Sequence, residues 1–169
     1  MHRFNDYFAS VFTVEKLDNI PEPDKIFSGL ETEKLIDISV DGATVRKKLD
    51  KLRSNKAAGA DDLSPRILNE IKDEICYSLA VIMQSSMDSR IIPTDWKVAN
   101  VTPVYKKGSK SRVENYRPIS LTSQICKIFK MIVRDSVSDH LDRHGLLRSS
   151  QHGFRKGGCC LNNLLMSYS

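Results

Sequence analysis

The sequence predicts an α+β fold, mostly helical, from which one β-hairpin projects. Two observations carry this. Apolar residues recur at helical spacing in three stretches, each opened by a residue that caps helices. Between the second and third stretches, side chains alternate with a period of two up to Tyr105, and an apolar run resumes after Pro118, the pattern of two strands joined by a turn. With 169 residues, 40% of them hydrophobic and 28% charged, the chain is long enough to bury a core and ordinary in composition for one globular domain.

Residues 1–40 are acidic and broken by Pro21, Pro23 and Gly29, so a short helix near Phe4–Phe12 leads into a connector with little to bury on its own. Asp41 opens a helix to about Arg53, with Val45, Leu49 and Leu52 on one face and Gly59 beyond its end. Lys47, Lys48, Lys51 and Arg53 occupy the remaining surface, where solvation and nucleic-acid contact are both open readings. Ser64 followed by Pro65 is a strong helix start, because a hydroxyl caps the first turn and the proline ring removes an N–H that has no partner there. Ile67, Leu68, Ile71, Ile75, Leu79, Ile82 and Met83 follow at helical spacing and are assigned to the core, with a break expected around Glu74–Tyr77. Ile91–Pro93 ends this region, and Trp96, the sole tryptophan, is placed as an anchor where the hairpin base meets the helices.

In the hairpin, Val98, Asn100, Thr102 and Val104 share one side and Ala99, Val101, Pro103 and Tyr105 the other; Gly108, Ser109 and Lys110 signal the turn, and Ile119 and Leu121 lie on the return strand. Pro103 and Pro118 cannot donate to a central ladder, so this is an edge or projecting ribbon. Ser123 caps a third helix with Ile125, Ile128, Phe129, Ile132, Val133, Val137 and Leu141 on one face, stopped by Gly145. Residues 146–158 read as a polar, Gly-rich loop, and Cys159–Tyr168 as the start of a further helix.

Charge is unevenly distributed. Lys97–Lys130 holds eight basic residues against the single acid Glu114, or +7, whereas the chain as a whole is +5. Lys106, Lys107, Lys110, Arg112 and Arg117 converge around the hairpin tip. Confined basicity of this kind is an electrostatic footprint for phosphates, on a polyphosphate or a nucleic acid; a solvated charged loop is the alternative that composition leaves open. No run approaches the ~18 apolar residues of a membrane span, and Asp6, Glu15 and Asp18 interrupt the N-terminus, so an intracellular location, cytoplasm or nucleus, without a membrane partner is expected. Cys76, Cys126, Cys159 and Cys160 suit neither a disulfide framework nor the usual zinc spacings. His140 and His144 stand one helical turn apart without a third ligand motif, which favours interaction with a helix C-terminus over metal binding. Asp61 and Asp62 are adjacent carboxylates in a turn before a helix, where capping and turn chemistry account for them.

Four ordered blocks add a resemblance. Asn55–Ile67 (NKAAGADDLSPRI), Pro93–Gly108 (PTDWKVANVTPVYKKG), Asn115–Ser123 (NYRPISLTS) and Gln151–Gly157 (QHGFRKG) resemble, in order, the opening blocks of the reverse transcriptases of non-LTR retrotransposons, in particular LINE-type elements of the jockey-like group. Phe4–Thr13 (FNDYFASVFT) is similar to the connector that precedes the polymerase in such elements. The resemblance therefore implies a connector over residues 1–40 and a partial reverse transcriptase domain over 41–169, the fingers of a right-hand polymerase with palm and thumb absent.

By the same resemblance, the hairpin folds over the incoming dNTP, its triphosphate gripped by Arg117 and by Lys106 or Lys107. A fork-shaped guanidinium beside a lysine point charge suits the negative charge that builds up on a departing pyrophosphate, although Arg117 could instead pair with Glu114. Lys110, Arg112, Gln151, Gly153, Phe154, Arg155 and Lys156 are implied to face template or other nucleic acid. Two departures stand out: Gly158–Cys159–Cys160 replaces the family's arginine, serine and cysteine, and Ala58, Ala60 and Asp62 replace its Pro, Pro and Gly. The latter loosens the turn, though Asp tolerates left-handed backbone.

The family's catalytic aspartates lie in blocks that do not occur among these residues, so no catalytic or metal-binding residue and no cofactor is expected in this fragment, with Mg2+ expected for the full-length polymerase. The partners implied are an RNA template, an RNA/DNA hybrid, dNTP, and the palm and thumb of the same polyprotein. A non-catalytic nucleic-acid-binding fragment and an inactive relic of such an element are the rival readings.

Overall fold

The computed structural model describes residues 2–11, 34, 35 and 37–147. The described parts of Met1–Ser28 and Ser39–Lys130 form one compact unit, and those of Gly29–Ile38 and Met131–Ser169 another. In chain order the elements are α1 (His2–Ser10), α2 (Gly42–Asp50), α3 (Pro65–Glu70), α4 (Lys72–Ser89), β1 (Ala99–Tyr105), β2 (Tyr116–Thr122) and α5 (Gln124–Arg143), with short 3-10 turns at Thr94–Lys97 and Val113–Asn115. The two strands form a single antiparallel ribbon, as the alternation and the prolines predict.

The helix starts follow their caps. Asp41 accepts from the Thr44 backbone N–H at 2.6 Å to open α2, and Ser64 accepts from Ile67 N–H at 3.3 Å ahead of Pro65 in α3. Ser123 Oγ accepts from the Ile125 and Cys126 amides at 3.2 and 3.4 Å to open α5. Backbone and side-chain bonds from Thr44 hold the Asp41 carboxyl below its ordinary range.

Val45 and Leu49 of α2 are fully buried, as are Met83 of α4 and Ile128 of α5. Phe8, Val40, Leu68, Leu79, Ala80, Cys126 and Phe129 are also buried in the first unit. α2 packs along α4, and polar ties lock the pair at their ends: Arg46 pairs with Asp73, and Lys72 Nζ lies 2.6 Å from Asp50 Oδ1. Asn69 Nδ2 donates to the Leu49 and Asp50 carbonyls at 3.2 Å each, tying α3 to the end of α2, where Leu49 O also accepts from Leu52 N–H at 3.0 Å. The hydrogen bond and charge of Lys72 lower the pKa of Asp50.

Three core assignments need correction. Ile67, Ile71 and Ile82 are 52%, 41% and 47% exposed; Leu79 and Met83 are buried as expected, and Ala80 and Ser86 complete the buried face of α4 where Ile82 was expected. The break in the long helix falls at Ile71 and not around Glu74–Tyr77, just beyond Asn69, whose side chain is committed to α2. Trp96 is the anchor expected: its ring lies 5.2 Å from that of Phe129, and the Cys126 thiol donates to its carbonyl at 3.5 Å.

Candidate functional site

The ribbon's register pairs Tyr105 with Tyr116, Val104 with Arg117, Pro103 with Pro118 and Thr102 with Ile119. Lys106 N–H donates to Asn115 O at 2.8 Å, which extends the ladder by one pair beyond the strands. Hydrogen-bonded pairs alternate with non-bonded ones in an antiparallel ribbon, so Val104/Arg117 is a bonded pair and Pro103/Pro118 is not. The two prolines thus sacrifice no bond inside the ribbon. Their missing N–H groups fall on its two outer edges, where each interrupts the row of donors that a third strand would need.

Side-chain alternation then sorts the cations. Lys106 and Arg117 fall on the same side of the ribbon, together with Thr102, Val104 and Ile119; Tyr105 and Tyr116 fall on the other. Lys106 is diagonal to Arg117 across the strands. Lys107 follows in the bend, where the ladder has ended. Lys106, Lys107, Lys110, Arg112 and Arg117 are all exposed. The sequence left open a pairing of Arg117 with Glu114, but Glu114 pairs with Arg112, at 3.7 Å. Among the described residues, Lys106, Lys107 and Arg117 have no ion-pair partner.

The loop between the strands is closely tied. Tyr105 Oη donates to Gly108 O at 2.5 Å, Asn115 Nδ2 to Ser109 O at 2.8 Å and Tyr116 Oη to Lys110 O at 3.0 Å. Gly108 adopts φ +88°, and a Cβ there would stand 2.7 Å from Asn115 Nδ2, so both backbone and space demand glycine. The tyrosine rings meet edge to face at 5.6 Å, Phe4 of α1 closes on Tyr116 at 4.9 Å, and Lys110 Nζ lies 5.6 Å over the Tyr105 ring. Sequence reasoning marked the cations and missed Tyr105, Tyr116 and Asn115 as their scaffold; the signal present was two aromatics flanking one charged turn.

Gln151, Gly153, Phe154, Arg155 and Lys156, with His152, Cys159 and Cys160, lie outside the described residues. The turn at Asp61–Asp62 behaves as capping chemistry: Asp61 Oδ1 accepts from Leu63 N–H at 3.3 Å, and Asp62 sits at φ +54°, the left-handed conformation that the resemblance assigns to glycine. The His140 and His144 rings lie 4.6 Å apart, tilted by 48°. Among the described residues no group of three or more His, Cys, Asp or Glu is placed to hold a metal ion. No helix among the described residues is long and apolar enough to cross a membrane. A cleft of about 540 Å³ beside Tyr77 and Val81 has no lysine, no arginine and no residue of the ribbon in its lining.

No family model matches the chain. It is 23% identical over 158 residues to a probable RNA-directed DNA polymerase from transposon BS of Drosophila melanogaster, covering 91% of this chain and 17% of that protein. Over 112 residues, 66% of this chain, it is 26% identical to a probable RNA-directed DNA polymerase from transposon X-element and 30% identical to the RNA-directed DNA polymerase from mobile element jockey, both from the same organism. In each of these two the match covers 12% of the relative's length.

Proposed function

We propose that this chain, related by sequence to the RNA-directed DNA polymerases of jockey-like non-LTR retrotransposons, is a fingers segment of such a polymerase that grips the incoming dNTP and the template. The observation that carries this is the ribbon. Two cations without ion-pair partners among the described residues, Lys106 and Arg117, share one side of a short two-stranded element at the end where the chain is most basic. In this reading Arg117 supplies a bidentate fork to the triphosphate and Lys106 a point charge beside it. Lys110 and Arg112, in the loop beyond, meet the phosphates of template or hybrid. Lys107, in the bend beyond the ladder, is the weaker candidate for the triphosphate.

Polymerisation itself is assigned to residues outside this segment. Two-metal phosphoryl transfer requires carboxylates that hold two ions a few ångströms apart, and Asp61 and Asp62 are engaged in a turn. The 169 residues by themselves therefore bind without catalysing, and palm and thumb supply the chemistry, with Mg2+ bound there.

Ultraviolet cross-linking of the chain to single-stranded RNA, followed by peptide mapping, tests the binding half of this proposal. Adducts within residues 105–117 are expected. Adducts confined to α2 or to the surface of α4 would contradict it.

A further inference from the structure

The basic loop is held from within. Three successive carbonyls, of Gly108, Ser109 and Lys110, each accept a side-chain donor, from Tyr105, Asn115 and Tyr116 in turn. The peptide unit is planar and trans, so a carbonyl turned into the loop sends the following N–H away from it. The amides of Ser109, Lys110 and Ser111 are the ones affected; Ser111 N–H reaches Ser109 Oγ at 3.4 Å, and the other two find no acceptor among the described residues. Ser109 Oγ and Ser111 Oγ lie 2.7 Å apart on the same stretch, and Lys110 is steadied over the Tyr105 ring. The carbonyls of Gly108, Ser109 and Lys110 are thus engaged within the loop, while the Ser109 and Lys110 amides have no acceptor and Lys106, Lys107 and Arg117 no ion-pair partner among the described residues, an arrangement suited to an anion.

We infer that the hairpin tip is a preorganised phosphate-binding loop, and that Tyr105, Tyr116 and Asn115 are its positioning residues. This rests on the reading that the basic ribbon meets phosphate, and adds to it which residues hold the binding shape. The ligand is a phosphate group, carried either by a nucleic-acid backbone or by a free polyphosphate. Ordering the loop before the encounter removes a cost otherwise met on binding; the tyrosines themselves touch no phosphate.

The test is the Tyr105→Phe/Tyr116→Phe chain, which keeps both rings, and with them the Phe4 and Lys110 contacts, but loses both donors. Affinity for a single-stranded oligouridylate is measured against salt, and trypsin cleavage at Lys106, Lys107, Lys110 and Arg112 is timed without ligand. No cation is removed, so the log–log salt slope stays that of wild type, whereas affinity falls roughly three- to tenfold and tryptic cleavage of the loop accelerates. Wild-type affinity together with wild-type cleavage overturns the inference; a reduced slope also overturns it, because the hydroxyls would then be phosphate contacts. If the double variant loses its native circular dichroism, Tyr105→Phe alone decides by the same readouts. Displacement by inorganic tripolyphosphate assigns the free polyphosphate as ligand, and failure to displace assigns the backbone. Wild-type binding that ignores salt would sink the phosphate reading itself, while the cleavage rates would still report whether the clasp holds the loop.

Discussion

Gly59 and Ser123 meet so closely that a Cβ on Gly59 would stand 2.5 Å from the Ser123 backbone nitrogen and 2.6 Å from the Thr122 carbonyl carbon. Backbone thus packs on backbone where β2 passes into α5, and Gln124 Nε2 seals the junction by donating to Ala57 O at 2.7 Å. Gly59→Ala must push one main chain off the other. It should destabilise the chain by about 2–4 kcal/mol, read as a lower denaturant midpoint at unchanged slope. A midpoint within error of wild type would show that the junction yields easily.

Much of the architecture is written locally. Asp41, Ser64 and Ser123 act as caps where capping chemistry expects them, and Pro103 and Pro118 mark a ribbon that takes no third strand at its centre. What local pattern does not contain is long-range hydrogen bonding. The commitment of Asn69 to α2 accompanies the helix break at Ile71, and the face of α4 that packs on α2 leaves Ile82 outside. The cations of the site were legible as charge. The side each takes depends on the strand register, and the scaffold beneath them depends on two tyrosine hydroxyls whose acceptors lie across a turn.

The polar ties of α2 make stability depend on pH. Lys72 lowers the pKa of Asp50, and Thr44 lowers that of Asp41. A carboxyl whose folded pKa lies below its unfolded value contributes stability above the unfolded pKa and loses it as pH falls through the folded one. The thermal midpoint should therefore fall as pH drops from about 5 to about 2, and Asp50→Asn should flatten part of that fall. Both groups are exposed, so the effect is small. An identical profile for Asp50→Asn would remove Lys72–Asp50 from the account.

Rigorously purified chain should extend no primer on an RNA template with either Mg2+ or Mn2+, because Asp61 is engaged by the Leu63 amide and no described cluster can hold two ions. Primer extension that co-purifies with the chain would overturn this assignment. Joining the segment to the palm and thumb of a relative should be required for activity.

If Arg117 and Lys106 grip a triphosphate, Arg117→Lys in the segment joined to a relative's palm must weaken use of the nucleotide. The ring of Pro118 restricts the Arg117 backbone to extended conformations and so aims the side chain. Lysine keeps the charge and loses the fork. Nucleotide kcat/KM should fall roughly ten- to a hundredfold, the loss of a charge-assisted bidentate contact, while template affinity hardly moves. Nucleotide kinetics within about twofold of wild type, accompanied by weaker RNA binding, would make Arg117 a template contact and contradict the claim.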